Sequence, residues 1–154
     1  MASAIYPKVY EHLLRGDVDL DTATIKVLLI GGAGAYTYDV NDEFVSDLSG
    51  ELADGVGGVA GYSRKTVSVT TSFDADVAGS GAAAGVFINF DLTGDAEWTS
   101  ATFTARHAVM FIDAGGLDSA NKLLYYFDLG ADQIVSSGTF KLLDPNPQPK
   151  LRRG

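Results

Sequence analysis

Extended runs of Val, Ile, Phe, Tyr and Thr at period-two spacing fill the last third of the chain. Residues 99–113 (TSATFTARHAVMFID) form one such run, and residues 123–128 (LLYYFD) and 139–143 (TFKLL) form two more. Gly115-Gly116, Asp118-Ser119 and Ser137-Gly138 punctuate them. Val, Ile, Phe, Tyr and Thr in alternation, bounded by Gly, Asn, Asp and Ser, predict antiparallel strands joined by short turns. Upstream, residues 24–30 (TIKVLLI) become apolar on both faces, which predicts a central strand. Residues 65–71 (KTVSVTT) predict a strand with one wet face, and residues 86–92 (VFINFDL) another. Tyr36-Thr37-Tyr38 either continues the first strand or forms a short one of its own.

Helical spacing occurs near the start. Tyr6, Val9, Tyr10 and Leu13 share one face at i, i+3, i+4 and i+7, Pro7 suits a first turn, and Gly16 is placed to stop the helix. A helix this short is not stable alone, so its stripe is expected to pack on the strand at 25–30. Residues 41–48 (NDEFVSDL) predict a second short helix, with Asn41 as N-cap and Phe44, Val45 and Leu48 as its apolar face. Residues 53–61 and 79–85 are too glycine-rich for element interiors and read as loops or arms. The total is seven or eight strands and one or two short helices, without internal repeat. The fold class is mainly β, an antiparallel β-sandwich of jelly-roll or immunoglobulin-like type. Residues 1–143 form its single domain and residues 144–154 a proline-rich, basic, extended tail.

Composition sharpens this picture in three places. The chain has 154 residues, 46% of them hydrophobic, enough for one domain with a real core. It has no cysteine, which removes disulfide and thiolate chemistry. With no apolar stretch near the ~20 residues that span a bilayer, and no leader-like start in MASAIYPK, it is expected to meet no membrane and to be made in a reducing cytoplasm. The net charge of -9, with the only basic cluster at Lys150, Arg152 and Arg153, argues against nucleic acid as a partner of the folded body.

Chemical motifs are incomplete wherever they begin. Gly32-Ala33-Gly34 after a strand lacks the third glycine and the helix of a dinucleotide-binding turn. Asp17, Asp19 and Asp21 open like a calcium loop, but Thr22 and Leu28 stand where its glycine and glutamate belong. Asp74 and Asp76 are read as solvated carboxylates on an edge strand. Ser63 lacks a nucleophile elbow, His12 and His107 are far apart in sequence, and nothing local brings Glu97 and Asp113 together as a glycosidic pair. No catalytic residue, metal ligand or cofactor is therefore expected, and the chain is read as a non-enzyme. Aromatic residues are the better pointer to contacts. Tyr125, Tyr126 and Phe127 alternate across one strand, so one side feeds the core and Tyr125 or Tyr126 is offered to an interface, with Trp98 as a further aromatic. In the tail, Pro145, Pro147 and Pro149 exclude ladder hydrogen bonds at their own positions, and Lys150, Arg152 and Arg153 suit an acidic neighbour.

One resemblance is carried by Ala4-Ile5-Tyr6-Pro7-Lys8, Gly16-Asp17-Val18-Asp19 and Thr24-Ile25-Lys26-Val27-Leu28-Leu29, then by Asp42-Glu43-Phe44-Val45-Ser46-Asp47. Lys65-Thr66-Val67, Phe73-Asp74-Ala75-Asp76 and Phe140-Lys141-Leu142 continue it. Together they resemble a group of small virion proteins of tailed bacteriophages. The chain departs from that pattern in residues 53–61 and 79–85 and in the tail beyond Leu143. The resemblance implies a structural component of the viral particle, assembled in the host cytoplasm, and brings no catalytic residues. The expected role is capsid decoration or cement, with the major capsid protein or another virion protein as partner and with homo-oligomers covering the sheet edges. The alternative is a tail, neck or head-fibre component that contacts host glycan through Trp98 and Tyr126. A small enzyme acting on cell-wall sugar is the reading from another class.

Overall fold

The computed structural model describes residues 3–32, 34–53, 59–74, 85–92, 96–143 and 150–152, with backbone alone at 71–74, 85–91 and 150–152. Among these residues there are seven strands, one α-helix and one 3-10 helix. In chain order they are β1 (Ala4–Ile5), α1 (Lys8–Arg15), β2 (Thr24–Ile30), the 3-10 helix (Val45–Asp47), β3 (Lys65–Asp74), β4 (Gly85–Asp91), β5 (Glu97–Asp113), β6 (Lys122–Lys141) and β7 (Lys150–Arg152). All neighbours are antiparallel, in the order β1-β6-β5-β2-β3-β4-β7.

β2 is central, as its two apolar faces predict. Ile25, Val27 and Leu29 point into one hydrophobic cluster, and Leu28 and Ile30 into a second cluster on the opposite face. β3 passes from one part of the sheet to the next: residues 65–67 pair with β2, and residues 68–74 with β4. The first cluster joins Val27, Leu29, Ala108 and Met110 to Leu92, Trp98, Phe103 and Leu142. Layers formed by different parts of the strands thus close on one interior, and the fold is mainly β and sandwich-like.

The two runs expected at 123–128 and 139–143 are one strand of 20 residues. Ser137-Gly138, which reads as a turn, is instead a bulge. Ser137 takes φ 47, the pairing with β5 shifts between Ala101/Gly138 and Phe103/Val135, and the Ser137 N–H bonds Thr102 Oγ1 at 2.9 Å. Tyr36-Thr37-Tyr38 is not a strand. Tyr36 and Tyr38 lie in the connection after β2 and roof the second cluster with Tyr6, Val45 and Leu48.

α1 stops where expected. Gly16 adopts φ 75, its N–H bonds Leu13 O, and the Asp17 N–H bonds His12 O, so two carbonyls of the last turn are satisfied. Val9 and Leu13 join the first cluster. α1 nevertheless lies mainly against β6 rather than on the strand at 25–30 where its stripe was expected, because β1 just before it pairs with β6. Tyr6, expected on the same stripe, precedes the helix and enters the opposite cluster, because β1 pairs with β6 just before it. The second helix is a single 3-10 turn that begins later than Asn41. The Asp47 carboxylate accepts from the N–H groups of Glu43 and Phe44, while Asp39 takes the N–H of Asn41, so the cap falls at Phe44. Residues 54–58 and 79–84, within the two glycine-rich segments, lie outside the described residues.

Candidate functional site

The titratable groups that look most like chemistry are engaged with one another across the fold. On the second face of the sheet, Tyr36 donates to Asp42 Oδ2 at 2.6 Å, so Tyr6 is left as the donor in its 3.0 Å bond to the Tyr36 hydroxyl. Tyr38 donates to the carbonyl of Ile5 at 3.0 Å, and Tyr126 is bonded to His107 Nδ1 at 2.7 Å. The rings stack obliquely, Tyr6 on Tyr38 at 5.1 Å and Tyr38 on Tyr126 at 5.2 Å. Burial holds the His107 imidazole below its usual range and pushes Tyr126 up to about 12. Burial also raises Tyr6, Tyr36 and Asp42. This cluster fastens the connection at 35–48 onto β5 and β6.

A second group is built around Arg64. Its guanidinium bonds Glu51 through Nε at 2.8 Å and Nη2 at 2.6 Å, and Asp118 through Nη1 at 2.7 Å and Nη2 at 2.8 Å. It lies 5.2 Å from the centre of the Phe111 ring. One planar fork thereby ties the residues before β3 to two loops, a geometry that lysine cannot reproduce. Hydrogen bonding to Arg64 holds Asp118 below the usual carboxylate range. His12, buried on α1, sits between Glu43 Oε1 at 2.9 Å and Asp17 Oδ2 at 3.3 Å.

The aromatic residues expected at an interface lie in the interior. Trp98 is fully buried, stacks near Phe140 at 5.7 Å, and donates its indole N–H to the Ser63 carbonyl at 2.8 Å. Tyr125 and Tyr126 are also buried, on opposite faces of the sheet. The expected aromatic surface is corrected on both counts: the first cluster encloses Trp98 and Tyr125, and the segment at 35–48 covers the face that would have exposed Tyr126. Pro145, Pro147, Pro149 and Arg153 lie outside the described residues. Lys150 and Arg152 belong to β7, opposite Phe87 and Gly85 of β4, where the last proline is already passed and backbone N–H groups are again present.

Glu97 and Asp113 sit at opposite ends of the 17-residue β5, paired with Lys141 at 3.7 Å and Lys26 at 2.5 Å. They do not form a catalytic pair. Asp17, Asp19 and Asp21 are exposed, and Asp19 Oδ1 accepts from the Asp21 N–H. Among the described residues no three His, Asp or Glu side chains are grouped to hold a metal ion, and no helix is long and apolar enough to cross a membrane.

The accessible feature that sequence reasoning missed is the outer edge of β6. β1 covers this strand only at Tyr125 and Tyr126, and residues 129–141 have no second strand beside them among the described residues. Ile134 is 78% exposed there. The signal available in the sequence was the β-branched pair Ile134-Val135 between two turn-like stretches. No family model, curated protein or solved structure matches this chain.

Proposed function

We propose that this chain is a non-enzymatic structural protein of a tailed-phage virion, bound to the capsid surface as a decoration or cement subunit. The observation that carries the reading is the division of its polar groups. His12, Arg64, His107 and the buried tyrosines serve to join elements. What the fold offers outward is backbone at a sheet edge. The resemblance at residues 4–8, 16–19 and 24–29 supports the virion address. The proposed partners are the major capsid protein or another virion protein, and further copies of this chain at the free edge. Weak contacts repeated over a lattice add through multivalency, so a small rigid module without a catalytic site suffices for cementing.

Counting copies in purified particles by quantitative mass spectrometry tests the proposal. Decoration requires copies in the hundreds. A handful per particle would move the chain to the tail or neck, and its absence from particles would remove the virion reading altogether. The glycan-binding version loses its structural support, because Trp98 and Tyr126 are not presented to solvent.

A further inference from the structure

We propose that the outer edge of β6 is the docking site for a second copy of this chain, added antiparallel about a two-fold axis between Ser136 and Ser137. This inference rests on the self-association in the reading above and is independent of the virion address. Three observations carry it. The first is the outer side of β6 at 133–141, which no strand covers among the described residues and which carries the exposed Ile134. Natural edges of this length are usually blunted by charge or proline. Here the eight residues between Asp132 and Lys141 (QIVSSGTF) contain neither.

The second observation is charge. The molecule carries -9, which repels a second copy over most of its surface, whereas residues 129–141 hold one acid and one base. The axis between Ser136 and Ser137 sets Asp132 of one copy opposite Lys141 of the other, twice by symmetry. The edge is therefore self-complementary in the antiparallel sense. The third observation is the bulge at Ser137, whose N–H turns inward to Thr102. It divides the ladder into two stretches, residues 133–135 of one copy against 138–140 of the other on each side of the axis, with Asp132 and Lys141 at their ends. Ile134 then lies opposite Thr139, and the β-branched side chain gains a cross-strand neighbour.

Sedimentation velocity of the full chain over a range of concentrations tests the interface. The expected species is a dimer. D132K places lysine against Lys141 and should weaken the dimer by roughly tenfold, and D132K/K141D/E97K, which keeps opposite charges at 97 and 141, should restore it. Because the chain has no cysteine, the double variant I134C/T139C provides a second readout on an otherwise unaltered surface. The two positions are roughly 17 Å apart along one strand, so oxidation should give a covalent dimer and no internal bridge. A monomer at every concentration overturns the proposal, as does an assembly that ignores D132K and fails to cross-link through 134 and 139. Particle binding by a strictly monomeric chain would overturn this interface and leave decoration standing, while a cross-linked dimer that binds no particle would do the reverse.

Discussion

At the scale of single residues, the buried hydrogen bonds set the expected costs. Tyr126→Phe removes the hydroxyl that satisfies His107 Nδ1 and should destabilise the protein by roughly 1–3 kcal/mol, read by urea denaturation. Because burial depresses the His107 pKa, the folded state favours neutral imidazole. Stability is present above the unfolded value near 6.5 and should fall as pH drops through the folded value. Asp113, bonded to Lys26, and Asp118, bonded to Arg64, are also depressed, and their contributions should be lost in a second, more acid stage below about 3.8. A midpoint denaturant concentration unchanged between pH 7 and 4 would contradict the His107 assignment. Gly61 has φ 76, and a Cβ there would approach Ala101 Cα to 2.8 Å, so Gly61→Ala combines backbone strain with overlap. It should cost roughly 2–4 kcal/mol. Gly16→Ala, at a similar φ in open space, should cost only about 1 kcal/mol in the same assay.

At the scale of elements, α1 and Arg64 attach outlying segments to the sheet. Val9 is fully buried and Leu13 only partly. Val9→Ala should therefore cost roughly 2 kcal/mol, with a smaller loss for Leu13→Ala. If deletion of residues 1–15 left thermal stability unchanged, the packing assigned to α1 would be wrong. Arg64→Lys should destabilise almost as much as Arg64→Ala, since an ammonium cannot bond two carboxylates in one plane. Differential scanning calorimetry of the two variants checks this, and full retention of stability by Arg64→Lys would contradict it. α1 at Gly16, β2 and the inner half of β5 have local reasons to be what they are. β6 does not. Its bulge at Ser137 is a strand feature only because Thr102 and Ala101 lie alongside to receive it.

At the scale of the whole molecule, the order of the sheet determines where it opens. β2 lies between β5 and β3 and is buried on both faces, so amide exchange should be slowest in β2 and in residues 107–112 of β5. Amides on the outer edge of β6, uncovered among the described residues, should exchange early in the monomer and slow at 133–135 and 138–140 when the chain is concentrated. Uniform protection across all strands would argue against this arrangement.

Local pattern by itself determined much of this protein: the antiparallel class, the central place of Thr24–Ile30, the stop at Gly16 and the long strand ending at Asp113. These follow from side-chain shape, periodicity and backbone freedom, which act within a few residues. Tertiary structure alone decided which aromatic faces were covered. Trp98 and Tyr126 look the same in sequence whether they face a partner or the interior, and the difference lies in segments far along the chain. Ser63 accepts the Trp98 indole, and Tyr36 and Tyr38 close over Tyr126. The outer edge of β6, which no described strand covers, left only the Ile134-Val135 pair as a trace in the sequence, because an edge is defined by the strand that is not beside it. Periodicity reports a residue's preference for burial or extension, while burial itself depends on which distant segments the chain brings to that face.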